Sequence, residues 1–215
     1  MTPAEVSAAL DAAYQIESRS GLALRLAAIG GLRRAELAAL RQVDLREREL
    51  VVDSAVTIVR RGTRQDPGIP ELRDDVTKTG NVRTVALDEA TVELFAEVRR
   101  EHPENVYVFG DGKRPANPER IGWWWLRARE LAGLDPRWRL HDLRHFAASM
   151  AIAAGHDVRT VAGRLGHANP AMTLRVYAHV VQGGDARIAA DLGRLLPLPP
   201  GRDVAPGVVD SAIRV

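Results

Sequence analysis

The side chains of this chain that could do chemistry are Arg33, Lys78, His141, Arg144 and His167, followed near the C-terminus by Tyr177. They stand in the strings Gly31-Leu32-Arg33-Arg34-Ala35-Glu36-Leu37, Thr77-Lys78-Thr79-Gly80, His141-Asp142-Leu143-Arg144-His145 and Leu165-Gly166-His167. Two guanidiniums and two imidazoles can hold a phosphate, a lysine can donate a proton and a tyrosine can attack. Together they are the parts needed to break and rejoin a phosphodiester with neither metal nor nucleotide. A tyrosine hydroxyl ordinarily titrates near ~10, so it attacks only where positive charge or a base favours its phenolate. Negative charge gathers on the non-bridging oxygens in the transition state, where preorganised Arg and His donors stabilise it more than in the ground state. The leaving oxygen needs a proton, which a lysine on a movable turn can supply.

Such groups work only if secondary structure brings them together. His141 and Arg144 are three apart at a helix start, so they share one face, and the helix N-terminus itself attracts phosphate. Arg33 follows a Gly-Gly break and opens a helix, with Glu36 one turn on to orient it. His167 follows a glycine that permits a sharp helix exit, and Tyr177 belongs to a separate helix that can approach the phosphate or swing away.

The remaining elements read as follows. Thr2-Pro3-Ala4-Glu5 predicts a capped helix start, and Val6, Ala9, Leu10 and Ala13 continue it at helical spacing. A second helix is expected from Ser20 to Ile29, and a third from near Leu32. Residues 50–52, 55–59 and 82–86 are short β-branched runs that predict one small antiparallel sheet. The polar stretch from Arg60 to Asp75, with two glycines and two prolines, predicts a long connection between strands. Helices are then expected from Asp88 to Val98, Asn117 to Leu131, Leu140 to Ala154, Asp157 to Leu165, Pro170 to Val180 and Asp185 to Leu196. The predicted fold class is mainly α with a small antiparallel β-sheet inserted near the front.

Composition sets outer bounds. The 215 residues suffice for one domain with a sizeable core, or one domain plus a tail. There is no apolar run near the roughly 20 residues of a membrane span and no signal-peptide layout at the N-terminus, which together point to the cytosol. The absence of cysteine excludes disulfides, thiolate metal sites and cysteine nucleophiles. Formal charge is only +2, so total charge says little about partners. Of the 30 basic residues only Lys78 and Lys113 are lysines, so the positive charge is almost all guanidinium, whose planar fork suits phosphate.

In their order and spacing these segments resemble the tyrosine recombinase, or phage integrase, family. Residues 31–40 resemble its first arginine box, 76–85 its β-hairpin lysine segment, 140–145 its His-x-x-Arg box, and 165–179 its terminal His and nucleophile box. The resemblance covers roughly Pro3 to Val180. It implies the fold of a DNA breaking-rejoining enzyme and a site-specific strand transferase that needs no cofactor. Arg33, Arg144 and His167 would stabilise the scissile phosphate of double-stranded DNA. Lys78 would be the general acid, His141 would assist proton transfer, and Tyr177 would form a 3′-phosphotyrosyl link that a free 5′-hydroxyl then attacks. It also implies a tetramer on two duplexes when full-length, with the chain alone a monomer. The implied division is a catalytic domain over 1–182, a C-terminal helix over 183–196 that docks on a neighbouring subunit or on its own domain, and a disordered tail over 197–215. An N-terminal DNA-clamp domain is expected to be absent, the chain being either a segment of a longer protein or naturally short. Gln42 and Ala86 depart from the family's usual Trp and Pro, at packing or turn positions.

Other readings remain open at this level. The set could serve a catalytically silent DNA-binding module that regulates recombination, or a relaxing enzyme of the type IB topoisomerase kind. His141 and His145 are four apart and could ligate a metal, but no third ligand accompanies them. Of Trp123, Trp124 and Trp125, one or two should pack and the remaining one face DNA or a partner, since helix neighbours point about 100° apart. Arg60, Arg61 and Arg64 suit either the DNA backbone or a solvated loop.

Overall fold

The computed structural model describes residues 1–59, 71–76 and 82–167. The chain divides into two units, Met1–Val180 and Val181–Val215, and the described residues belong to the first. Lys78, Tyr177, His179, Arg60, Arg61, Arg64, the expected helices from Pro170 and Asp185, and the tail over 197–215 lie outside the described residues.

Helix α1 (Pro3–Ile16) begins where the capping box requires: Thr2 Oγ1 accepts from the Glu5 N–H at 3.2 Å and Glu5 Oε2 accepts from the Thr2 N–H at 2.6 Å. Its buried face, Val6, Ala9, Ala12 and Ala13, is mostly alanine, which lets α2 and α5 approach closely. Helix α2 (Ser18–Ile29) is apolar nearly all round, and Leu22, Ala23, Leu24, Leu26, Ala27 and Ala28 are all buried. A helix of that kind belongs inside, and α1, α4, α5 and α6 surround it. It starts at Ser18 rather than Ser20 because the break falls at Glu17, whose extended backbone separates it from α1. Helix α3 (Arg34–Ala39) follows the Gly30-Gly31 turn.

Among the described residues, two antiparallel sheets replace the single one expected. The first has the order β1-β2-β5, built from β1 (Leu45–Arg46), β2 (Glu49–Val52) and β5 (Arg83–Ala86), with Leu50 opposite Val85 and Val52 opposite Arg83. The second is the hairpin of β3 (Ser54–Val59) with β4 (Glu71–Val76), Val56 pairing with Asp74. The expected connection from Arg60 to Asp75 is therefore too long: its last five residues, with Val76, form a strand. Glu-Leu-Arg-Asp-Asp-Val carries no β-branched run to announce it. The backbone of β3 supplies its pairing, and the Tyr107 hydroxyl ties Asp74 down at 2.8 Å.

Helices α4 (Glu89–Glu101), α5 (Pro118–Leu131), α6 (Leu140–Ala153) and α7 (Val158–Leu165) complete the order among the described residues. Asp88, Asn117 and Asp157 each cap the following helix through the side-chain oxygen, as their types predict. Trp124 and Trp125 are buried, and Trp123 is 52 % exposed. Trp124 meets Phe109 edge-on at 6.0 Å and donates its ring N–H to Glu17 Oε1 at 2.6 Å. A smaller apolar cluster, Ala148, Ile152, Val161 and Leu165, packs α7 on α6. No helix among the described residues is long and apolar enough to cross a membrane.

Candidate active site

Arg33 caps α3, and its side chain stays 41 % exposed. Its Nη1 donates to Glu36 Oε1 at 2.8 Å and its Nη2 to the Gly166 carbonyl at 3.3 Å. Glu36 also accepts from the Arg33 backbone N–H at 2.8 Å, so the carboxylate one turn along the helix orients both ends of the arginine. Arg144, on the second turn of α6, is only 3 % exposed. It donates from Nη1 to the Gly31 carbonyl and from Nη2 to the Leu165 carbonyl at 2.7 Å. His167 follows the left-handed Gly166 (φ 68°), and its backbone N–H closes on the Ala162 carbonyl at 3.0 Å. His141, at the start of α6, meets His145 edge-on with ring centroids 4.8 Å apart.

Three successive carbonyls leaving α7 thus receive three guanidiniums. Arg164 accepts from Arg83 Nε at 2.9 Å, Leu165 from Arg144 and Gly166 from Arg33. The last carbonyls of a helix lack partners within it and carry the negative end of its dipole, so cations gather there. Two glycines make the convergence possible. A Cβ at Gly31 (φ 67°) would stand 2.4 Å from Leu165 Cδ2, and one at Gly166 would stand 2.9 Å from Arg83 Nη1.

The electrostatics follow from this crowding. Burial, then the cations Arg144, Arg33 and Arg83, push the His167 imidazole down to about 4. At neutral pH it is an uncharged ring beside fixed cations, ready to share a proton once an anion arrives. Partial desolvation, His145, Arg144 and Arg33 lower His141 in the same direction. Burial pushes the Glu36 carboxyl up, but the Arg83 hydrogen bonds and charge, with Arg33, outweigh it and hold it below the ordinary carboxylate value.

The fold therefore brings four of the six expected side chains, Arg33, His141, Arg144 and His167, to one place. Lys78 and Tyr177 lie outside the described residues. Two further residues belong to the setting. Arg164 donates to the carbonyls of Ile29 at 3.1 Å and Ala86 at 3.0 Å, joining α7 to the ends of α2 and β5. Arg83 grips Glu36 with both Nη atoms, at 2.9 and 2.7 Å. The available signal for Arg83 was alternation: it shares a strand face with buried Val85, and a buried arginine requires hydrogen-bonding partners. Beside Arg33 and His141 opens a groove of about 680 Å³, lined also by Arg34, Arg129 and Arg139 and by the apolar Trp123 and Leu126. Such a cluster of donors can hold a phosphodiester and stabilise added negative charge on it.

The architecture, a helical domain with small antiparallel sheets, is that of tyrosine recombinase catalytic domains. The structure of the Tn1549 transposon integrase in complex with circular intermediate DNA superimposes with a TM-score of 0.72 at 23 % identity, covering 91 % of this chain and 66 % of that one. The profile of the Phage integrase family matches residues 1–183, and the chain belongs to that family. An integrase/recombinase of Escherichia coli is 39 % identical over 72 residues, which are 34 % of this chain and 21 % of that protein. A tyrosine recombinase of Thermosipho africanus is 28 % identical over 182 residues, 84 % of this chain and 56 % of that protein. The chain thus matches about a fifth of the length of the first relative and just over half of the second.

Proposed function

We propose that this chain is the strand-cleaving and rejoining part of a site-specific tyrosine recombinase acting on double-stranded DNA. Arg33, Arg144 and His167 hold the scissile phosphate and stabilise its transition state. The Tyr177 oxygen attacks phosphorus, the bond to the 5′-oxygen breaks, and a 3′-phosphotyrosyl link forms. Lys78 gives its proton to the departing 5′-oxygen, and His141 assists removal of the tyrosine proton. A 5′-hydroxyl from another strand then reverses these bond changes, which conserves the phosphodiester energy and needs no nucleotide. Full-length subunits work as a tetramer on paired sites, in the cytoplasm where that DNA lies.

One observation carries this reading: Arg33, Arg144 and His167 meet at the exit of α7 in a chain of the phage integrase family. The test is incubation with negatively supercoiled plasmid at low salt, beside Tyr177→Phe. Relaxation and a detergent-stable protein–DNA adduct are expected from the unaltered chain and not from the variant. An adduct that persists in Tyr177→Phe would remove the tyrosine from its role. DNA binding without adduct, even after a family clamp domain is fused in front of Thr2, would leave a silent binding module.

A further inference from the structure

Arg83 is not among the side chains expected to touch phosphate, and with its side chain 7 % exposed it is too deep to reach DNA. Yet all three of its guanidinium nitrogens are engaged: Nε on the Arg164 carbonyl at 2.9 Å, Nη1 on Glu36 Oε1 at 2.9 Å and Nη2 on Glu36 Oε2 at 2.7 Å. Arg33 rests on two supports, Glu36 Oε1 and the Gly166 carbonyl. Both are held against Arg83. Glu36 is clasped by its fork, and Gly166 lies so close above it that a Cβ there would meet Nη1 at 2.9 Å. Arg83 also opens β5, five residues after Lys78 in sequence, so the strand that follows the expected general acid is pinned to the phosphate site.

Stability alone is a weak reason for such a residue. Replacing a buried ion pair by apolar groups of similar volume is often neutral or stabilising. What the fork supplies is direction: a planar donor set holds a carboxylate bidentately and a carbonyl beside it in fixed geometry, whereas a lysine's three donors radiate from one rotatable nitrogen.

We infer that Arg83 is a positioning residue of the phosphate site, holding the Arg33 guanidinium in place through Glu36 and the α7 exit. The inference rests on the strand-transfer reading for its effect on rate, but not for its effect on Arg33 itself. The variants are Arg83→Lys, which keeps the charge, and Arg83→Met, which keeps the bulk. Three quantities are read on the full chain: the melting transition, the adduct rate at saturating supercoiled plasmid with its half-saturating concentration, and the rotation of Arg33 about Nε–Cζ by 15N exchange NMR. In the folded variants the saturated adduct rate is expected to fall on the order of 10- to 100-fold, as misplacement of a reacting partner does. The half-saturating concentration should stay unchanged, because the loss lies in the transition state. Arg33 should rotate on the order of tenfold faster, the equivalent of one charge-assisted hydrogen bond lost.

A wild-type adduct rate in a folded variant overturns the inference, and so does unchanged Arg33 rotation whatever the rate. Loss of folding in both variants assigns Arg83 to stability alone and overturns it too. Should the unaltered chain form no adduct, the strand-transfer reading fails, and the Arg33 rotation by itself still sustains or overturns the positioning role.

Discussion

Arg144, at 3 % exposure, donates to two main-chain carbonyls whose dipoles orient its guanidinium. Arg33 differs, sharing the Glu36 carboxylate with Arg83, two guanidiniums against one negative charge. Arg144→Ala would leave the Gly31 and Leu165 carbonyls without these donors, and a loss of about 2–4 kcal/mol in urea unfolding is expected along with loss of the adduct. The histidines predict a pH dependence. The folded value of His167, about 4, lies below its ordinary value of 6.5, so the unfolded chain takes up the proton first. Stability should therefore fall as pH drops from 6.5 towards about 4, with His141 acting in the same sense. Glu36 contributes at a lower pH: its value is depressed below 4.5, so its share is present above that and is lost only as pH falls further. Urea midpoints taken at about pH 7 and about pH 5 should separate in the unaltered chain and draw together in His167→Gln; equal separation in both would sink the assignment.

At the scale of elements, α7 carries much of the design with only eight residues, Val158–Leu165. An isolated helix of that length would not persist in water, so its cap at Asp157 and its packing on α6 hold it. Its exit accepts three arginines from three other elements, α3, β5 and α6, and each contact orders the helix and the arginine together. Glycine governs the approach. Gly31 and Gly133 both adopt left-handed backbone, φ 67° and φ 62°, but only Gly31 faces a neighbour that a Cβ would strike. Gly133→Ala should cost the backbone strain alone, about 1–2 kcal/mol. Gly31→Ala should cost more, because Leu165 must also shift, and its adduct rate should fall while that of Gly133→Ala does not. Equal costs in chemical denaturation would show that Leu165 accommodates the added methyl freely.

For the whole molecule, a net charge of +2 beside a pI of about 9.4 means that the proposed DNA binding would draw on where the arginines stand rather than on their total. Binding to duplex DNA, followed by anisotropy, should weaken linearly with the logarithm of salt, and Arg33→Ala should lower that slope by about one phosphate contact. An unchanged slope would take Arg33 off the backbone. Among the described residues the helix order, the caps at Thr2 and Asp88, the helix starts at Asn117 and Asp157, and the packing of part of the tryptophan triplet were legible in the sequence, because capping and amphipathic spacing act within a turn or two; which tryptophan stays exposed was not. The residue types of the site were legible too, since their chemistry does not depend on context. Strand β4 was not legible: its charged residues are paired by a neighbour's backbone, which leaves no mark on their own pattern. Of the partners of the site residues only Glu36, one turn from Arg33, was legible, and the long-range ones were not. Arg33 meets Gly166 across 133 residues of sequence, Arg144 meets Gly31 across 113 and Arg83 meets Glu36 across 47. The amino-acid sequence by itself determined which groups could bind a phosphate and which local elements carry them. Only the tertiary structure decided which carbonyls hold Arg33 and Arg144 and that Arg83 shares the Glu36 carboxylate, because a buried cation is placed by whatever long-range packing brings within hydrogen-bond reach.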